Sequence, residues 1–374
     1  MKEKEQLTAC RRKTSIGGQA LMEGVMMRGP KMTAMAVRNT KGEIVVEEFE
    51  TKGTKRPAIC RLPIIRGLFG YIDSMTLGYK CLMRSAELSG LEDLVEENPK
   101  KKKKRLEAEA NEKILPTDSV NDALHKTETE VDEALGDAKS EEKKEEKIPS
   151  WAMTAIMVVS VVFGLGLALF LFKWLPTQIF AWLTIPFPVL QNMGNDAVNS
   201  LVKSAFEGVL KIILLVGYMG AISLMSDIRR TFMYHGAEHK TIFCYEAGLE
   251  LTVENVKKQR RFHPRCGTSF LILMLLVNIF VSFFIDPVTL LIWNTTLGVW
   301  GRTLVSLALL PLIVGLGYEL IKLAGRHENW LTRLISAPGV WLQHITVFEP
   351  TDDMIECAIT SLNRVIPNDE SDAW

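Results

Sequence analysis

The chain has 374 residues, and its 44 Lys and Arg balance 44 Asp and Glu, so the formal net charge at pH 7 is zero. A balanced charge gives no case for nucleic-acid binding, and the length allows two or three ordinary domains. The first 12 residues are polar and charged without an apolar stretch, which argues against a secretory signal peptide. The six cysteines lack the spacing of a disulfide framework and are expected to be free thiols.

Residues 1–90 are predicted to form a small N-terminal cytoplasmic β unit followed by an amphipathic helix. Residues 33–38 and 43–50 are rich in β-forming side chains. The Asn-Thr-Lys-Gly sequence over residues 39–42 favours a hairpin turn, because Asn and Gly tolerate positive φ. For the Gly- and Met-rich residues 17–30, the sequence favours a surface loop over close backbone packing.

Residues 63–89 keep apolar side chains at helical spacing and place Arg66, Lys80 and Arg84 among them. These charges interrupt the helix too often for a membrane span. It lies either on the inner membrane surface, with its cations near lipid headgroups, or in the core of the N-terminal domain, and the sequence favours neither. Residues 91–148 are rich in charge and poor in aromatic side chains, so they are expected to be a disordered linker.

Four apolar runs predict a mainly α-helical, polytopic membrane domain over residues 149–326. The predicted spans are residues 151–172, 205–226, 266–285 and 303–322, and the last of them can kink at Pro311. Residues 176–200 are interrupted by prolines and a glycine and are expected to fold back at the far interface. Residues 287–301 are uncharged but short, and we expect them to be interfacial or re-entrant.

The basic residues predict how this domain is oriented. The loop over residues 227–265 holds eight Lys and Arg, whereas the opposite side has four. The positive-inside rule therefore places both termini and this loop in the cytoplasm, with the protein in the cell inner (plasma) membrane. The tail over residues 327–374 is then cytoplasmic, with a short helix expected over residues 352–363, capped by Thr351 or Asp352.

The cytoplasmic loop contains the strongest candidate for chemistry. His235 and His239 are four residues apart, so on a helix they share one face, and Glu238 lies beside them. Two imidazoles can hold one side of a divalent metal, preferably Zn²⁺, and the carboxylate can act as a base on a bound water. The same residue types also make ordinary hydrogen bonds at a crowded membrane interface, so the pattern by itself leaves both interpretations open.

A metal site of this type needs at least one more protein ligand. His263 is the preferred candidate, because it is the remaining histidine of this window and Pro264 would hold it just outside the third span. The weaker candidates are Glu246, Cys266 and Glu319. Arg265 is expected to pair either with a phosphate or with Glu246, and the sequence does not choose between them.

Several long motifs resemble those of a known family. They are Gly-Gly-Gln-Ala-Leu-Met-Glu-Gly-Val-Met-Met-Arg over residues 17–28, His-Gly-Ala-Glu-His-Lys over residues 235–240, His-Pro-Arg-Cys-Gly-Thr-Ser-Phe over residues 263–270, and Ala-Pro-Gly-Val-Trp-Leu-Gln over residues 337–343. Together they are similar to the YqhQ-like family of bacterial integral membrane proteins, which are predicted metal-dependent enzymes of unknown function. The resemblance implies metal-site roles for His235, His239, Glu238 and His263, and a place near the site for Glu23.

Three functions are compatible with these features. The leading one is a metal-dependent enzyme, a hydrolase, at the cytoplasmic membrane face, with membrane lipid around it and an unknown substrate. The second is an ion or small-molecule transporter component, which is disfavoured because the predicted spans hold few charges near the midplane. The third is a membrane assembly or scaffold protein with a structural metal, for which four protein ligands would be expected.

Overall fold

The computed structural model describes residues 13–51, 57–90, 150–191, 194, 196–295, 297–327 and 329–373. The first 12 residues and the predicted linker over residues 91–148 lie outside the described residues. The chain divides into two compact units, one made of Met1–Glu92 with Leu169–Trp374 and the other of Asp93–Ala168. In the second unit the described residues form most of helix α2, Ser150–Leu169.

The N-terminal region is a four-stranded antiparallel sheet in the order β1-β2-β3-β4. Its strands are β1 Gly17–Leu21, β2 Gly24–Arg28, β3 Met32–Arg38 and β4 Ile44–Glu50. The predicted hairpin over residues 39–42 is confirmed, with Gly42 at φ 85°. The surface loop expected over residues 17–30 is wrong, because these residues form the β1–β2 hairpin. The glycines allow it: a Cβ on Gly24 would lie 2.3 Å from the carbonyl oxygen of Ala36.

Helix α1, Ile65–Ser89, follows the sheet, as predicted from its apolar spacing. One face packs on the sheet, where Cys81 joins Leu21, Met26 and Met35 in a buried cluster. The opposite side carries exposed large apolar side chains at Ile72, Met75, Tyr79 and Met83. The helix is therefore a core helix on one side and leaves an apolar stripe on the other.

The candidate membrane helices are longer than the sequence predicts. Among the described residues, three helices are long and apolar enough to cross a membrane: Val158–Thr184, Val198–Ile222 and Gly267–Trp293. A fourth candidate is the pair α8 Val299–Ala308 and α9 Leu310–Arg326, bent by 53° next to Pro311. The other elements of this part are the π-helix Phe170–Trp174, α3 Leu175–Thr184, the 3₁₀ helix Pro188–Gln191, α4 Asp196–Ile222 and α7 Gly267–Trp293. These apolar helices indicate a membrane protein.

Two predicted span boundaries are wrong, because in each case a helix that was expected to end before a proline continues past it. The first span does not end near Lys173 and Pro176 but continues to Thr184, and the third continues through Pro287 to Trp293. Pro176 lies in the first turn of α3, where its missing N–H is not needed. The candidate spans therefore hold more charge than expected, since half-buried Lys173 and buried Asp286 now lie within them.

A polar layer of helices connects the sheet to the apolar helices. It contains α5 Ser226–Glu246, α6 Val253–Lys257, α10 Trp330–Thr346 and α11 Asp352–Asn363. Helix α11 is as predicted, although Thr351 at its N-cap makes no side-chain capping hydrogen bond. The main core combines Tyr234 and Ile242 of α5 with Met354 and Leu362 of α11 and with Met27 of the sheet. The described cysteines 60, 81, 244, 266 and 357 are free, as expected.

Candidate metal centre

Helix α5 carries the two histidines on one face, as the spacing predicts. The ring centroids of His235 and His239 are 4.4 Å apart. The helix passes unusually close to the segment after α10, because a Cβ on Gly236 would lie 2.0 Å from the carbonyl oxygen of Phe348. The backbone of Phe348 also donates a hydrogen bond to the carbonyl of Phe232 at 3.0 Å. Gly236 thus lets a second chain segment fix the position of the histidine helix.

Each imidazole is oriented through its Nδ1 atom. His235 Nδ1 lies 3.1 Å from the carbonyl oxygen of Thr346, and His239 Nδ1 lies 2.6 Å from that of Arg261. A carbonyl oxygen only accepts, so both rings must carry their proton on Nδ1 in these contacts. The Nε2 atom of each ring is then the one available to a metal, as is usual for metal-binding histidines, although that of His235 also lies 3.0 Å from Cys266 Sγ.

Cys266 completes a group of three possible ligands. One coordinating atom from each of His235, His239 and Cys266 lies within 4.8 Å of the other two. Cys266 is the N-cap of α7, where its Sγ accepts from the backbone N–H of Thr268 at 3.4 Å. Its Sγ lies 3.0 Å from His235 Nε2, close to the ligand-to-ligand spacing of about 3.5 Å expected around tetrahedral zinc.

The Nε2 atom of His239 is the strongest structural sign of a ligand. Among the described residues it is a buried nitrogen without a hydrogen-bond partner. An unpartnered buried polar atom costs about 1–3 kcal/mol, so such atoms are rare in native structures. A metal bound by this atom would remove that cost, and the residues around it therefore fit a metal ion.

Glu238 lies beside the three ligand candidates but outside their group. Its carboxylate is 3.9 Å from His235 Nε2 and is almost fully buried. Gly18 of β1 donates a backbone hydrogen bond to it, and a Cβ on Gly18 would lie 2.8 Å from Glu238 Cγ. Strand β1 therefore packs against the Glu238 side chain and limits where its carboxylate can lie.

Burial and charge act against each other in this cluster. Burial disfavours a charged His235, but the charge and hydrogen bond of Cys266, the charge of Glu238 and the hydrogen bond to Thr346 together raise the pKa of His235 to about 9. Burial also disfavours a thiolate, but His235 and His239 hold the pKa of Cys266 well below its usual value. Burial raises the pKa of Glu238, against the opposing effect of the two histidines. The cluster therefore contains a thiolate, which is the form that binds metals.

His263, the preferred third ligand in the sequence, is not in the group of three. Its ring centroid lies 5.4 Å from that of His239, and its Nδ1 accepts from the backbone N–H of Arg265 at 3.3 Å. Burial, and then the charges of His239 and Arg265, lower the pKa of His263 well below its usual value. The geometry favours Cys266 over His263 as third ligand, and the ligand assignment itself remains a prediction.

The other weak candidates have partners elsewhere. Glu246 forms a buried ion pair with Arg265 and accepts from the backbone N–H of Thr14 at 2.9 Å. Glu319 of α9 forms a two-point ion pair with Arg66 of α1. Glu23, expected near the site, contacts α5 before the histidines, through an ion pair with Arg230 and a hydrogen bond of 3.2 Å from Tyr234.

Gln343, to which the sequence pattern gives no role, connects α10 to the segment that contains His263 and Cys266. Its side-chain Oε1 accepts from the backbone N–H of His263 at 2.8 Å, and its Nε2 donates to the carbonyl of His263 at 2.7 Å. The same Nε2 donates to Ser269 Oγ at 2.9 Å. Gln343 is fully buried. A polar residue on an apolar helix was the available signal, but its partners are 74 and 80 residues away in the chain.

Comparison with known proteins places the chain in a family without a known activity. Residues 62–368 match a family described as "Protein of unknown function (DUF1385)". The chain is 32% identical over 355 residues to "Uncharacterized protein YqhQ" of Bacillus subtilis (strain 168), which covers 94% of this chain and 92% of that protein. No solved structure matches the chain. The match over most of both sequences establishes that this chain belongs to the DUF1385 family.

Proposed function

We propose that the chain is a metal-dependent membrane enzyme, a hydrolase, whose metal ligands are His235, His239 and Cys266. The observation that carries the proposal is the pair of imidazoles fixed through Nδ1, with the buried Nε2 of His239 left without a partner among the described residues. One thiolate and two neutral imidazoles suit Zn²⁺ better than Mg²⁺ or Ca²⁺, which prefer oxygen ligands.

The number of ligands supports a catalytic role over a structural one. Structural zinc sites are usually closed by four protein ligands, whereas catalytic sites have three and one open position. Among the described residues the group contains three. A metal in this position would supply Lewis acidity and lower the pKa of a water bound at the open position.

Glu238 is proposed as the general base. Its carboxylate lies at the edge of the three-ligand group, 3.9 Å from His235 Nε2, where it can accept a proton from a nucleophile. Burial raises the pKa of Glu238 towards the range in which a carboxylate is an effective base near neutral pH. The Gly18 hydrogen bond holds the carboxylate in place.

The site is proposed to lie at the cytoplasmic face of the cell inner membrane, with both termini in the cytoplasm. Cys266 immediately precedes candidate span Gly267–Trp293, so the group is at one end of that span. The polar layer before it contains the basic residues of the 227–265 loop, which the positive-inside rule assigns to the cytoplasm. A substrate that reaches this site would come from the cytoplasm or from the adjoining lipid headgroups.

A second candidate function follows from the contact between Cys266 and His235. A thiolate at a helix N-terminus, 3.0 Å from an imidazole that a carbonyl orients, also resembles the nucleophile and base of a thiol-dependent hydrolase. This alternative gives no role to the unpartnered Nε2 of His239, so we favour the metal centre.

The experiment that separates these functions compares Glu238→Gln with wild type in the purified full chain. Both proteins would be assayed for metal content and against a panel of ester, amide and phosphoester substrates, with and without a chelator. We expect Glu238→Gln to keep its metal and to lose the hydrolysis seen in wild type. Release of the metal from Glu238→Gln would make Glu238 a ligand, and hydrolysis that survives complete removal of the metal would favour the thiol mechanism.

A further inference from the structure

A second polar centre lies among the candidate spans, far from the histidines. A small cavity is lined by four cationic side chains and one carboxylate: Lys173, Lys203, Lys211, Arg302 and Glu207. A further carboxylate, Asp286, lies 3.5 Å from Arg302. Asp286 is nineteen residues after the start of α7, roughly 28 Å along the helix from Cys266. The two centres are therefore separate.

The charges in this cavity do not balance. Glu207 lies 3.7 Å from Lys211 and 3.8 Å from Arg302, so one carboxylate faces two cations. With Asp286 counted as the partner of Arg302, two of the four positive charges have no opposite charge among the described residues. An unneutralised charge in the apolar part of a membrane costs about 2.5–3.5 kcal/mol or more.

The cations also have hydrogen-bonding capacity to spare. The side chain of Lys211 is 6% exposed, and its nearest carboxylate among the described residues is beyond hydrogen-bond distance. Lys173 donates to Ser306 Oγ at 2.9 Å, and Arg302 donates to Ser204 Oγ at 3.0 Å. An ammonium carries three N–H groups and a guanidinium five, so one serine each leaves donors that an acceptor in the space between them can use.

Two irregular helices contribute to the cavity. Lys173 lies in the π-helix Phe170–Trp174, and Arg302 lies in the short half of the bent pair Val299–Ala308 and Leu310–Arg326. Single π turns are frequent at functional sites, and broken membrane helices commonly form ion-binding sites. The cations are thus brought together by the two places where the candidate spans depart from regular helices.

We propose that this cavity binds a small monovalent inorganic anion of the halide class, such as chloride. The excess of positive side-chain charge around the cavity favours an anion over a neutral water molecule. The volume of about 20 Å³ sets the size, because it holds one water-sized occupant and is too small for a phosphate or carboxylate group. Lys173 and Lys203, which have no opposite charge among the described residues, supply the excess charge that recognises the anion.

The proposal does not depend on the metal site, and it changes the argument against ion transport. The predicted spans were expected to hold few charges near the midplane, yet Glu207 and Lys211 lie near the middle of Val198–Ile222 and are both buried. A bound anion would make this group of charges a site for ion binding, whatever reaction the histidine cluster performs.

The test is chloride binding by the purified full chain in detergent. Radiolabelled chloride would be measured by equilibrium dialysis, and melting temperatures would be compared in sodium chloride and sodium gluconate at equal ionic strength. We expect one saturable chloride per chain and a higher melting temperature in chloride, because a ligand that binds the folded state stabilises it.

The variants are chosen so that loss of binding is not confused with loss of folding. Lys203→Met and Lys173→Met each remove a half-buried cation with no ion pair among the described residues. Both are expected to weaken chloride binding by roughly tenfold or more. The control Lys322→Met, in α9 outside the cavity lining, should bind as wild type does. No saturable chloride binding in wild type, or equal affinity in the cavity variants and the control, would overturn the proposal.

Discussion

His235 Nε2 and Cys266 Sγ are 3.0 Å apart, although 31 residues separate them in the chain. One residue lies in the middle of α5 and the other caps the start of α7, so the contact joins the polar layer to a candidate membrane helix. The proposed metal centre therefore depends on the position of α5 as well as on the ligands themselves.

The close approach of α5 to Phe348 predicts a strong effect of Gly236→Ala. The new methyl group would lie 2.0 Å from the Phe348 carbonyl oxygen, and a backbone atom cannot move aside as a flexible side chain can. We expect a loss of about 1–3 kcal/mol or more in the free energy of unfolding. Gly217→Ala in α4 is the matched control, because no atom lies within 4 Å of its Cβ position, and it should be neutral or stabilising. Equal melting temperatures for the two variants would contradict the packing described here.

The buried pair of Glu246 and Arg265 predicts a second effect on stability. The Glu246 side chain is 1% exposed and that of Arg265 is 10% exposed, so Glu246→Gln leaves a cation with little access to water. Breaking such a pair costs about 3–5 kcal/mol. The double variant Glu246→Gln/Arg265→Met should recover part of the loss, whereas Asp369→Asn, in the exposed pair with Lys31, should change little. A double variant less stable than Glu246→Gln alone would count against the pairing.

Metal binding is predicted to release a proton at neutral pH. In the metal-free protein burial disfavours the charged ring of His235, but Cys266, Glu238 and the Thr346 carbonyl together raise its pKa to about 9. A metal needs the neutral imidazole, so below pH 9 it must displace this proton. Affinity should increase by about tenfold per pH unit between pH 7 and 9, since one proton is released per metal bound. Titration calorimetry in two buffers of different ionisation enthalpy measures that proton, and heats that do not depend on the buffer would refute the prediction.

The orientation in the membrane is predicted from the basic loop. In intact cells, a membrane-impermeant thiol reagent should label Gly194→Cys, on the side opposite the histidines, and should reach Lys258→Cys after permeabilisation alone. Wild type gives the background from the native cysteines. Labelling of Lys258→Cys from outside, with Gly194→Cys protected, would place the proposed site on the other face.

Local sequence patterns were sufficient to predict the elements whose conformation depends mainly on neighbouring residues. Residues 39–42 form a turn because of their own backbone preferences, and α5 and α11 keep a helical apolar face. Patterns failed where a distant contact overrode the local preference. The glycines of β1 and β2 suggested a loop. In the structure these residues form strands instead, because β3 and α5 pack against them. Pro338 and Gly339 would ordinarily end a helix, yet α10 continues through both because Gly339 packs closely on Ser269.

The sequence also predicted only part of the candidate site. The i,i+4 spacing was enough to bring His235 and His239 together, since both lie on one helix. For the third proposed ligand, residue type favoured His263, whereas the geometry favours Cys266. Cys266 is directed into the group by its role as the N-cap of α7, and His263 is turned towards Arg265. The carbonyls of Thr346 and Arg261 that orient the imidazoles have no signal in the sequence, since every residue has a carbonyl.

Measurement of the metal content of the purified protein is the most direct test of whether His235, His239 and Cys266 bind a metal. The full chain would be produced in zinc-supplemented medium and analysed by inductively coupled plasma mass spectrometry, beside the His235→Ala/His239→Ala, Cys266→Ala and His263→Asn variants. We expect one metal per chain in wild type and in His263→Asn, and loss of the metal from the other two variants. Full occupancy in the His235→Ala/His239→Ala variant, or a wild-type protein without metal, would contradict this expectation.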